Sequence, residues 1–137
     1  MHHKTRRTGW AAPALALVLG GCGLGGPAHG PASPEAAAAV TMGFESFSPA
    51  TLSIRVGQTV EWQNTSLITH TVTAAPDLAK KPEDVALPTG AEPFNSGDIA
   101  AGQVYLRRFT APGTYRYFCR HHEGLGMIGT IIVLPTS

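Results

Sequence analysis

Charge is sparse in this chain and evenly split. Charged residues are 14% of 137, with ten Lys and Arg against nine Asp and Glu. Beyond residue 10 no basic cluster is larger than a pair. That leaves no electrostatic footprint for nucleic acid. Cysteine is scarcer still, with Cys22 and Cys119 the only two. No Cys-x-x-Cys-His occurs, which excludes a covalently attached haem. No second thiol lies near Cys119, which excludes a dinuclear thiolate-bridged centre. His-x-His pairs are also missing, and the chain is too short for an enzyme built on several metal centres. The longest apolar run, about residues 11–20, is too short to span a bilayer stably. No internal repeat is visible.

The first segment has the order of an export signal. Lys4, Arg6 and Arg7 stand without an acid, an Ala/Leu/Val run follows, and small residues come next. Residues 1–21 are read as a signal peptide, in which His2 and His3 are passengers. Leu19-Gly20-Gly21-Cys22 resembles a bacterial lipobox, so a lipid on Cys22 and a periplasmic or otherwise extracytoplasmic, membrane-tethered protein are expected. Without Lys4, Arg6 and Arg7, seven basic residues face nine acids, a net charge of 7 − 9 = −2. Residues 22–39 are Gly, Pro, Ala and Ser with little else, a flexible linker in which His29 is solvated. If Cys22 is acylated, Cys119 has no internal disulfide partner. Metal ligation is then the first role to consider for it.

Residues 40–137 form one domain with a β pattern. Residues 47–56 end in apolar–polar alternation before Gly57-Gln58, and residues 59–63 alternate again. Ile68, His70 and Val72 share one face of an expected strand. Tyr105 to Phe109 is another, and Ala111-Pro112-Gly113 ends it. Tyr115, Tyr117 and Cys119 share a face of the next, and Ile128 to Leu134 is the last. Short strands with turns between them predict an all-β Greek-key sandwich or barrel. Residues 76–93 carry four prolines and mixed charge, so a long loop with one short helical turn is expected there. Trp62, Tyr115 and Tyr117 read as core.

The chemistry lies in Cys119-Arg120-His121-His122-Glu123-Gly124-Leu125-Gly126-Met127. A thiolate, imidazoles and a thioether fall within nine residues. Thiolate and thioether favour copper(I), imidazole also suits copper(II), and two imidazoles with one thiolate and a weak axial Met form the blue-copper set. The second imidazole must come from outside this loop, and His70 is the only other histidine in a predicted strand. Taken singly, His70, Cys119 and Met127 could each be core residues. Cys and His alone would also suit zinc.

The segment resembles the copper loop of the cupredoxins, in particular plastocyanins and pseudoazurins. It shares their C-x-x-H-x-x-x-x-M spacing and is followed by Gly129-Thr130-Ile131-Ile132-Val133. Phe94-Asn95-Ser96-Gly97, Gly102-Gln103 and Ala111 to Tyr115 match the family upstream. Thr69 to Thr73 resembles its first-histidine strand, as in the membrane-attached halocyanins. The resemblance implies His70, Cys119, His122 and Met127 as ligands of one type 1 copper ion, with His121 turned to solvent. Two positions depart from the pattern. His121 stands where plastocyanins usually have Pro. Thr71 stands where many members have an Asn that braces the loop, and its hydroxyl is left to do part of that work.

The resemblance further implies a monomeric carrier that shuttles one electron between redox protein partners associated with the membrane, and not an enzyme. The alternative is a protein that holds or delivers copper without transferring electrons.

Overall fold

The computed structural model describes residues 33–137. The expected signal peptide, the lipid-bearing Cys22 and His29 lie outside the described residues. Nine strands make two mixed sheets: β1 Ala38–Met42, β2 Phe47–Ser48, β3 Thr51–Arg55, β4 Thr59–Asn64, β5 Thr73–Ala74, β6 Phe94–Asn95, β7 Val104–Arg108, β8 Gly113–Phe118 and β9 Ile128–Leu134. One sheet runs β2-β1-β4-β7 and the other β3-β9-β8-β5-β6. No α-helix occurs among the described residues, and the all-β sandwich expected from the pattern is what the chain forms.

Alternation builds the core. In β9 the inward positions Gly129, Ile131 and Val133 are buried and their neighbours are partly exposed. In β8 Tyr115 and Tyr117 point inward, and Cys119 continues that face just past the strand. Trp62 on β4 is fully buried, 5.5 Å from Tyr117 and 6.2 Å from Phe109 between ring centroids. The register sets Tyr117 opposite Gly129, so the ring has a residue without a side chain beneath it.

Three expectations from the sequence need adjusting. Residues 47–56 are not one strand: β2 joins one sheet and β3 the other. Pro49 lies between them and has no N–H to give a ladder. Residues 68–72 are not a regular strand either. His70 makes a single bridge to Ile99, and the next N–H groups go to side-chain atoms, Thr71 to Cys119 Sγ and Val72 to Ser96 Oγ. The proline-rich loop holds two short 3-10 turns, Pro76–Leu78 and Pro82–Asp84.

Glu61 is buried on β4, a central strand, where a charge is costly unless hydrogen-bonded. Its carboxylate accepts the Ser33 N–H at 2.9 Å and a bond from the Gln63 amide, which fastens the start of the described chain to β4.

Candidate metal centre

The loops at one end of the sandwich bring three donors together. The His70 Nδ1 lies 3.7 Å from Cys119 Sγ, and the His122 Nδ1 lies 3.4 Å from the same sulfur. The three donor atoms all lie within 4.8 Å of one another. His70 and Cys119 are fully buried, and His122 is partly exposed. A first-row ion bonded to sulfur at about 2.3 Å and to nitrogen at about 2.0 Å holds S and N about 3.5–3.8 Å apart at angles of 110–120°. The 3.7 Å separation falls within that span and the 3.4 Å one just below it, so one ion fits between these donors with a slight opening on the His122 side. Among the described residues no other group of three such donors meets in this way.

Each donor is held by its own local structure. Cys119 leaves β8 with its N–H on the Met127 carbonyl at 3.1 Å. Its carbonyl accepts the His122 N–H at 3.1 Å, and the His122 carbonyl accepts the Met127 N–H at 3.2 Å. The loop between is a 3-10 turn, Glu123–Leu125, ended by Gly126 at φ 82°. That left-handed geometry suits glycine. Met127 is fully buried where the loop rejoins the sheet, so its thioether is kept from water.

His70 is oriented by a polar cluster that sequence reasoning missed. The Asn64 amide donates to the Ile68 carbonyl at 2.7 Å and the Ile99 carbonyl at 2.9 Å. Its oxygen therefore faces Ser66, whose hydroxyl donates to it at 2.8 Å. With that proton committed, the Ser66 oxygen, 2.9 Å from His70 Nε2, accepts from the ring. The Gly43 carbonyl faces the ring as well. Nε2 thus carries the proton and Nδ1 presents its lone pair to the site, the arrangement a metal-binding imidazole needs. Burial first, and the neighbouring His122 second, hold the His70 pKa below its usual value, so the ring is neutral near pH 7.

Around the sulfur, the Thr71 N–H reaches Cys119 Sγ at 3.4 Å, and the Thr71 hydroxyl accepts the Arg120 N–H at 2.9 Å. Thr71 thus braces the two loops from both its main chain and its side chain. Glu123 is buried, and one of its oxygens accepts the N–H groups of Lys80 (2.7 Å) and Lys81 (3.2 Å), which ties the proline-rich loop to the donor loop. A lone carboxylate in an otherwise Gly and apolar loop was the available signal for that role. His121 is exposed and points away, pairing with Asp98 at 2.8 Å.

The family of copper-binding proteins described as plastocyanin/azurin matches residues 35–134. The chain belongs to this family. It is a cupredoxin, a blue-copper electron-transfer protein with one type 1 copper.

Among curated proteins, this cupredoxin is 33% identical to the chloroplastic plastocyanin of Tetradesmus obliquus over 137 residues, covering 94% of this chain and 89% of that one. It is 33% identical to the plastocyanin of Prochlorothrix hollandica over 126 residues, covering 89% and 91%. Its fold is similar to a reduced amicyanin variant, with TM-score 0.59 and 24% identity over 74% of this chain and 85% of that chain. A copper-containing nitrite reductase from Thermus scotoductus matches with TM-score 0.57 and 30% identity, but this cupredoxin spans only 22% of that enzyme.

Proposed function

We propose that His70, Cys119, His122 and Met127 hold the copper, and that the chain works as a mobile carrier and not as an enzyme. The observation that supports this most is one buried sulfur with two imidazole nitrogens at 3.4 and 3.7 Å, drawn from two separate loops. Bound copper supplies the one-electron couple. The rest is done by the protein. His70 is locked by Ser66 and Gly43, and Cys119 by the Thr71 N–H, so the donors keep one geometry for both oxidation states. Met127 would supply the weak thioether donor to the bound copper. His122 alone among the donors is partly exposed, which makes its ring edge the place where electrons enter and leave.

Exposed apolar side chains sit on the loops that hold or face the donors: Leu125 between His122 and Met127, Leu67 beside Ser66, and Phe44 beside Gly43. Small apolar contact areas suit the brief docking of a carrier. The partners are redox proteins, a donor and an acceptor, associated with a membrane. The basic, apolar and small-residue order of residues 1–21 supports export to the periplasm or another extracytoplasmic space, and the Leu19-to-Cys22 motif supports a lipid anchor. The chain acts as a monomer.

Copper(II) added to the apoprotein tests the site. An intense blue band should appear, ascorbate should bleach it, and Cys119→Ala should abolish it. His122→Ala should lose the band while His121→Ala keeps it. A colourless, redox-silent protein would overturn the carrier reading, and the reverse histidine result would overturn the ligand assignment. Mass spectrometry of the native N-terminus tests the anchor: a lipid mass on Cys22 is expected, and an unmodified start beyond Cys22 refutes it.

A further inference from the structure

The hydroxyl of Thr71 belongs to a longer chain of bonds that leaves the site. Thr71 Oγ1 lies 3.0 Å from Thr73 Oγ1, and Thr73 Oγ1 donates to Asn95 Oδ1 at 3.0 Å. The same Asn95 oxygen accepts the Gly97 N–H at 3.1 Å, which fixes the orientation of its amide. Both threonines are fully buried, whereas Asn95 is exposed. The direction of every bond is forced. An amide oxygen only accepts, so Thr73 donates to it. The single proton of Thr73 is then spent, so Thr71 donates to Thr73. The Thr71 oxygen is left to accept from the Arg120 N–H.

We propose that Thr73 and Asn95 are positioning residues for the metal centre: their one-way hydrogen-bond relay fixes the Thr71 hydroxyl on the Arg120 N–H and thereby sets where the Thr71 N–H meets the Cys119 sulfur. The inference rests on Cys119 being a copper ligand. Bonds in such a chain polarise one another, so removing a distant member weakens the ones near the sulfur. Outer-shell partners of this kind orient ligands and tune the metal. The Thr71 hydroxyl is also kept from donating to the sulfur, because its proton is committed elsewhere. The sheet supports the relay: Thr73 pairs with Asn95 on one side and Phe118 on the other, so β5 carries the chain across β6, β5 and β8.

Thr73→Val preserves shape and removes the relay's middle hydroxyl. Amide hydrogen exchange at Arg120, measured by NMR in the copper(I) protein, should quicken about tenfold or more. The blue band and the reduction potential of the copper protein should shift with it. Thr73→Ser should restore all three. In a Thr71→Val background the added Thr73→Val change should have little further effect, because the two act through one path. Asn95→Ala, at an exposed position, gives the second test if Thr73→Val folds poorly, and should shift the same readouts in the same direction. The relay is overturned if Thr73→Val and Asn95→Ala leave exchange and band unchanged in a blue protein, or if Thr73→Ser behaves like Thr73→Val. A wild-type protein that never turns blue overturns instead the ligand assignment, while the exchange measurement on the apoprotein still judges the relay.

Discussion

Gly129→Ala should destabilise the domain far more than one methyl group implies. A Cβ built there would stand 2.3 Å from Tyr117 Cζ, 2.4 Å from its hydroxyl oxygen and 2.8 Å from Cε1. Favourable carbon–carbon contact lies at about 3.5–4.0 Å, so the ring must retreat by more than about 1 Å. It has nowhere to go. Tyr117 is fully buried, with Phe47 at 4.7 Å and Trp62 at 5.5 Å between ring centroids. Overpacking of this kind costs about 1–3 kcal/mol, and a clash with a rigid, enclosed ring belongs at the upper end. For a domain of this size, about 3 kcal/mol lowers Tm by roughly 12–24 °C. Urea denaturation of the apoprotein, followed by circular dichroism, gives the number directly. The cause is tested in a cycle with Tyr117→Leu, which removes the ring. That change alone should cost about 2–5 kcal/mol through lost burial and a cavity. In its background, Gly129→Ala should cost close to nothing. A cost below about 0.5 kcal/mol for Gly129→Ala alone, or an equal cost in both backgrounds, refutes the clash.

Met127→Leu should keep copper bound and raise the reduction potential, since a thioether helps copper(II) more than a hydrocarbon does; voltammetry reads it, and an unchanged potential removes Met127 from the axial position. Asp84 gives a pH signature. Burial first, then the facing Glu123, raises the Asp84 pKa above its ordinary value, so the folded protein binds that proton more tightly than the unfolded chain does. Stability from this group is therefore present below the ordinary carboxylate range and is lost as pH rises through the raised value. Asp84→Asn keeps a donor toward Glu123 at every pH, so its urea midpoint should gain on wild type across that window. A midpoint difference that does not change with pH refutes the raised Asp84.

Three of the proposed donors, Cys119, His122 and Met127, could be read from the sequence because they lie in nine consecutive residues of one loop; of these the structure places Cys119 and His122 together with His70. His70 was legible by its histidine and its neighbours, but not by the strand it was assigned to. The residue types alternate over Ile68, His70 and Val72, but burial does not: Ile68 is partly exposed, whereas Thr71 and Thr73 are as fully buried as His70 and Val72. Past the His70 bridge to Ile99, the chain gives its N–H groups to a sulfur and a hydroxyl, and an apolar–polar pattern says nothing about where backbone bonds go. Thr71 could be flagged because it departs from a family pattern. Asn64 and Ser66 could not, since a polar pair at the end of a strand looks like any turn. Their function depends on Ile99, thirty-five residues beyond Asn64. Glu61 was hidden for a related reason: its burial depends on a chain segment that folds back over it from outside the strand.

The latch between Ser33 and Glu61 also decides where a load on the start of the described chain enters the sandwich. β1 and β4 run parallel, with Ala38 beside Val60 and Met42 beside Asn64, and Asn64 belongs to the cluster that orients His70. Glu61 is three residues below Asn64, about 10 Å down the strand at the usual rise. From Ala38, β1 climbs toward the donor loops. A load applied at Ser33 would therefore meet the Glu61 carboxylate on β4 before it reached the Asn64 cluster that orients His70.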